Sequence, residues 1–160
     1  MGRGEPPALG PRGEGWVAIQ AVLLLGLAAT GALGPRWPDT LERPLIAAAF
    51  VVGVLGGALV LGGALRLGAQ LTPYPRPIEG GSLRQDGVYA LVRHPIYGGV
   101  LLLGLAWSLA GSWLGLGPTA LLALLFELKS RREELWLAEH HEAYRAYRER
   151  VRHRFIPRVW

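Results

Sequence analysis

The sequence predicts an all-α fold: a polytopic membrane protein of about four transmembrane helices, the last two a short hairpin, followed by an amphipathic cytoplasmic C-terminal helix. Two observations carry this. Of 160 residues, 51% are hydrophobic, and they stand in long uncharged blocks instead of at the periodic positions of a soluble helix. Charge, glycine and proline are confined largely to the stretches between and after those blocks, where they set the breaks.

Residues 1–15 are rich in Gly, Pro and Arg without periodicity, a composition that predicts disorder. Residues 16–34 carry no charge and, at about 1.5 Å per residue, roughly match a bilayer core of about 30 Å, which predicts the first membrane helix. This run is long for a signal peptide and its leading flank holds two acids. Gly34-Pro35-Arg36-Trp37-Pro38 breaks it. Residues 45–65 form the second uncharged span, where Gly53 and Gly57 share a helix face that would admit a close neighbour.

The linker 66–93 contains Thr72-Pro73-Tyr74-Pro75-Arg76-Pro77 and then Gly80-Gly81, a density that excludes regular helix or strand. Its arginines Arg66, Arg76, Arg84 and Arg93 place it in the cytoplasm. Residues 96–126 are again free of charge, and a single helix of that length, about 46 Å, would overshoot the bilayer core. The break from Gly111 to Pro118 divides the run into segments 94–111 and 117–128. Four spans return the C-terminus to the side of the N-terminus, so both termini are expected in the cytoplasm and the protein in the cell (inner) membrane.

Residues 129–152 predict a tail helix. At 100° per residue Glu133, Leu137, His140, Tyr144, Tyr147 and Val151 fall on one stripe, which puts Glu133 toward the protein and Glu134 nearer the flank. Residues 16–160 thus form one membrane domain. The net charge of +5, most of it after Lys129, reads as attraction to anionic headgroups and the positive-inside bias, with no nucleic-acid partner. Absence of cysteine excludes thiolate catalysis, disulfides and thiolate metal sites, and no His spacing suggests a metal.

The chemistry-bearing stretch is Tyr89 to Gly99, YALVRHPIYGG, which places ionisable groups at the mouth of a membrane segment where they are costly without a purpose. If the tail helix continues from the fourth segment, Glu133, His140 and Tyr144 meet Arg93, His94, Tyr89 and Tyr97. Such a pocket offers aromatic faces for a cation, a carboxylate for hydroxyls or an ammonium, and a guanidinium for an anion.

The pattern Leu83-x-x-x-Gly87-x-Tyr89-x-x-x-Arg93-His94-Pro95-x-Tyr97-x-Gly99, followed by Glu133, Glu142-x-Tyr144-x-x-Tyr147 and Arg154-Phe155-Ile156-Pro157, resembles the isoprenylcysteine carboxyl methyltransferase and phospholipid methyltransferase superfamily over about half the chain. The sequence departs from that pattern at His140-His141, where a Phe-Gly pair is usual, and at Arg132, where a second glutamate is common. The resemblance implies an S-adenosylmethionine-dependent enzyme that methylates a lipid-like or apolar acceptor from the bilayer, with Tyr89, His94, Pro95, Tyr97, Gly99 and Glu133 at the cofactor. Within that expectation Arg93 holds an acceptor carboxylate or phosphate and His94 is the nearest base. A non-catalytic membrane scaffold or small transporter bundle is the alternative, disfavoured because the spans lack mid-membrane ionisable groups.

Overall fold

The computed structural model describes residues 5–160. Five helices account for the fold: α1 (Glu14–Leu33), α2 (Asp39–Leu67), α3 (Pro95–Ala110), α4 (Leu116–His140) and α5 (Tyr144–Arg150), with short 3₁₀ turns at Gly68–Gln70, Gly87–Ala90 and Trp113–Gly115. The result is an all-helical membrane fold. Helices α1 and α2 are long and apolar enough to cross a bilayer, whereas α3 has 16 residues. Their outward faces are apolar and uncovered, with Leu33 at 86%, Phe50 at 73% and Leu65 at 73% exposure, which suits hydrocarbon and not water.

The tightest packing is between α2 and α3. On α2 the buried positions Ala49, Gly56 and Gly63 recur every seven residues, a seam of small side chains on one face. A Cβ on Gly56 would lie 2.8 Å from Gly99 O, and one on Gly99 would lie 2.6 Å from Gly56 O, so the two backbones touch where these glycines cross. This seam differs from the expected Gly53/Gly57 face: Gly57 looks into open space and Gly53 meets only the Ala106 methyl at an ordinary distance. Spacing of four identified a face, but the neighbour selected the adjacent one.

Helix α4 packs on α1 and α3 around Leu27, Leu101, Leu122, Leu125 and Phe126. The hairpin between α3 and α4 is closed by Ser112 Oγ accepting from Leu114 N at 3.3 Å, and Pro118 sits in the first turn of α4, where its missing N–H costs no helical bond. Trp37 Nε1 donates to Ser108 O at 3.0 Å, fastening the α1–α2 loop to the end of α3.

Two boundaries differ from expectation. The fourth membrane segment and the tail are one helix, α4, and the tail breaks at residues 141–143 before α5, so a single helical phase does not run to 152. As a result His140 is exposed while His141 turns inward. Of the stretch 1–15, residues 1–4 lie outside the described residues. Residues 5–13 pack against α1 and the linker, with Pro7 O accepting from Trp16 Nε1 of α1 at 3.1 Å and Pro11 O from Arg76 Nη1 of the linker at 2.9 Å.

Candidate functional site

The motif Arg93-His94-Pro95 stands where the linker enters α3. Pro95 occupies the first helical position, to which its fixed φ is suited, and His94 is the cap residue although its side chain caps nothing. Freed from capping, the imidazole turns to α4. The C-terminal segment then straps the motif in place: Arg93 N donates to His153 O at 3.1 Å and His94 N to Arg154 O at 2.8 Å. Gly98 allows this, since a side chain there would overlap the Phe155 carbonyl.

Two adjacent glutamates on α4 receive the motif differently. Glu134 Oε1 accepts from Arg93 Nε at 2.9 Å, from His94 Nε2 at 3.2 Å and from Arg154 Nε at 3.2 Å. Arg93 Nη1 also donates to Val151 O at 2.6 Å and Arg152 O at 2.8 Å. Burial raises the Glu134 pKa, but the His94 bond and charge and the Arg154 and Arg93 charges outweigh it and bring it down to about 2. Glu133 instead accepts from Tyr97 Oη at 2.7 Å and lies 3.8 Å from His94 Nδ1. Its side chain is 23% exposed against 6% for Glu134. The expectation that Glu134 lies nearer the flank is therefore corrected: both face inward, and Glu134 is the deeper. Position relative to Arg93, not the centre of the apolar stripe, decides which is buried.

In front of this cluster is a cavity of about 410 Å³. One wall is the linker from Leu71 to Arg84; another is α4, which presents Lys129, Glu133 and Leu137 at four-residue spacing, with His141 just past its end. Tyr89, Arg93, His94, Pro95 and Tyr97 line it too. Gly99 does not. Its lack of a side chain serves the crossing with α2, so the sequence resemblance brought it to the motif but the structure does not bring it to the cavity.

The aromatic groups divide in the same way. Tyr97 is stacked with His94 (centroids 5.5 Å apart) and with Phe126 (4.7 Å), and Lys129 Nζ lies 5.0 Å from its ring centre. Its ring is thus enclosed, whereas Tyr89 remains a cavity wall, braced by Tyr147 Oη donating to Tyr89 O at 2.8 Å. Burial, and next to it the Glu133 charge, push the Tyr89 hydroxyl well above its ordinary pKa, so it is a neutral donor. Burial likewise pushes Tyr147 up to about 12. The Tyr144 hydroxyl and Arg84 Nε are buried with no hydrogen-bond partner among the described residues, and both residues line the cavity.

Four contributors were not among the expected site residues: Glu134, which was placed nearer the flank, Arg154, which stood only in the C-terminal motif, Lys129 and Gln20. Lys129 is wholly buried, and its Nζ donates to Gln20 Oε1 at 2.7 Å and to Pro73 O at 2.9 Å. The available signal was its place one helical turn before Glu133. No group of three or more metal-ligating His, Cys, Asp or Glu occurs among the described residues.

No family model matches the chain. Over 85 residues it is 36% identical to Delta(14)-sterol reductase TM7SF2 of Mus musculus, a match covering 51% of this chain and 20% of that protein. The chain therefore spans about a fifth of the length of this curated relative.

Proposed function

We propose that this protein is an S-adenosylmethionine-dependent methyltransferase of the membrane, acting on an apolar or lipid-linked acceptor, with cofactor site, linker and both termini on the cytoplasmic face. The observation that carries the reading is the cavity in which the Arg93-His94-Pro95-x-Tyr97 motif meets Glu133 across some forty residues of sequence. Glu133 keeps one partner, Tyr97, and retains acceptor capacity for the cofactor's ammonium or ribose hydroxyls. Tyr89 supplies the aromatic face for the sulfonium.

Methyl transfer from a sulfonium is an in-line displacement: the carbon–sulfur bond breaks with its electron pair remaining on sulfur while the acceptor lone pair forms the new bond. Alignment supplies most of the rate in such a step. The residues present fit a positioning role. Both His94 nitrogens face carboxylates, so His94 orients Glu133 and Glu134 and is poorly placed to take a proton from an acceptor. Arg93 is committed to Glu134 and two carbonyls, so it shapes the site rather than gripping the acceptor.

The likeness to a sterol reductase supports a second reading, reduction of a polycyclic apolar substrate by a hydride donor in the same cavity. Calorimetry on the purified protein in lipid nanodiscs separates the two. The methyltransferase reading expects saturable S-adenosylmethionine binding that Glu133→Ala weakens about tenfold or more, and a labelled methyl group appearing in a lipid-soluble product. Heat with NADPH and none with S-adenosylmethionine would select the reductase.

A further inference from the structure

We infer that Lys129 is the specificity residue of this cavity, holding the anionic head group, carboxylate or phosphate, of the apolar acceptor. The inference rests on the transferase reading for the word acceptor; the binding it describes can be tested apart from it.

The cavity's positive groups are not equivalent. Arg93 is neutralised by Glu134 in direct contact. Lys129 has no exposure and forms no ion pair with a carboxylate among the described residues. Its two partners, the Gln20 amide and the Pro73 carbonyl, are neutral. An ammonium has three donors; two go to these oxygens, and Nζ lies 5.0 Å from the centre of the Tyr97 ring, which lines the cavity together with Lys129. A buried charge whose hydrogen-bond partners are all neutral, with the Glu133 carboxylate a helical turn away and not in contact, is costly, and an anion entering the cavity lowers that cost.

Position along α4 assigns the anion to the acceptor rather than to the methyl donor. Lys129 stands three residues after Phe126, the end of the uncharged run, and its Nζ lies 5.0 Å from the ring centre of Tyr97, which is itself stacked on Phe126. Glu133 stands one turn, about 6 Å, farther along the axis, beside Tyr97 and His94. An amphiphile reaching the cavity from hydrocarbon meets Lys129 first, while a donor that is cationic at its ammonium and sulfonium is drawn to Glu133.

The test uses the whole chain in nanodiscs of zwitterionic lipid with two probes of one tail length: hexadecanesulfonate, anionic at every accessible pH, and hexadecanesulfonamide, neutral at pH 7. Competition against an environment-sensitive fatty-chain fluorophore gives both affinities. Wild type is expected to prefer the sulfonate by about ten- to hundredfold, the range for a hydrogen bond to a charged group. Lys129→Gln should bring that ratio close to one, and Lys129→Arg should keep most of it. Calorimetry with S-adenosylmethionine on the same variants should show little change. Equal wild-type affinities for the two probes would overturn the inference even if Lys129→Gln failed to fold. So would a Lys129→Gln variant that keeps the sulfonate preference but loses S-adenosylmethionine binding, since Lys129 would then serve the donor's carboxylate. Absence of S-adenosylmethionine binding in wild type, with the sulfonate preference intact, defeats the transferase reading alone.

Discussion

Replacing each of two neighbouring glutamates by alanine should separate folding from binding. Glu134→Ala removes the carboxylate that Arg93, His94 and Arg154 share and leaves Arg93, whose side chain is 7% exposed, with no anionic partner. Breaking a buried pair in this way costs about 3–5 kcal/mol. The pH dependence supplies an independent figure. The carboxyl titrates at about 2 in the folded protein against an ordinary 4.5, which at about 1.4 kcal/mol per pH unit amounts to roughly 3 kcal/mol. Because the folded value is the lower one, this stability is present above about pH 4.5 and is lost as pH falls toward about 2. Glu133→Ala removes one hydrogen bond, from Tyr97, at a partly exposed position, which costs about 1 kcal/mol. Equilibrium unfolding in mixed detergent micelles, followed by circular dichroism, should therefore show a large loss for Glu134→Ala and a small one for Glu133→Ala. Calorimetry with S-adenosylmethionine under folding conditions should show Glu133→Ala as the folded variant whose binding is weakened about tenfold or more. Equal destabilisation by the two substitutions, or a stable Glu134→Ala protein with an unchanged acid limb, would refute the division of roles.

Other outcomes follow from the same geometry. Gly99→Ala sets a methyl against Gly56 O and Val60 and should destabilise by about 1–3 kcal/mol or more, whereas Gly57→Ala, facing open space, should be neutral or stabilising by up to about 1 kcal/mol; unfolding midpoints of the pair check which face of α2 meets α3. Tyr97→Phe removes the donor that orients Glu133 and should weaken S-adenosylmethionine binding by about tenfold with helix content unchanged. Burial brings the Lys129 pKa down to about 8, opposed by Glu133. Of the groups facing it, Gln20 and the Pro73 carbonyl do not titrate and Tyr97 donates to Glu133. Hexadecanesulfonate affinity should therefore fall as pH rises through about 8 and Lys129 loses its proton, and it should be flat with pH in Lys129→Gln.

Much of this arrangement is written locally. Uncharged runs mark the helices because hydrocarbon excludes charge, and Pro95 and Pro118 mark helix starts because the first turn offers no partner for an N–H, the group proline lacks. The inward direction of Glu133, which meets the motif at Tyr97, was legible from a helical wheel. What the wheel could not give was the role of Glu134, because a wheel ranks faces by average hydrophobicity, and a carboxylate is buried only where specific cations meet it. The identity of those cations is a tertiary fact: Arg154 arrives from the strap after α5, and α5 has its own phase because the chain breaks at residues 141–143. The α2 seam was missed for a similar reason, since every face of that helix carries glycine or alanine and only the partner's own glycine, Gly99, distinguishes one from another.

The continuity of α4 explains why the site lies where it does. One helix carries Phe126 in the apolar core, Lys129 just beyond the uncharged run, Glu133 at the motif and Leu137 a turn farther along the cavity. At about 1.5 Å per residue the eight residues from Lys129 to Leu137 span about 12 Å, so on the transferase reading one rigid element would set the separation between the acceptor end and the cofactor end. The linker supplies the facing wall, and Lys129 joins the two through Pro73. An anion taken up by the spare Lys129 donor would leave that joint intact. Acceptor and cofactor could then occupy the cavity together, as a direct transfer between them requires.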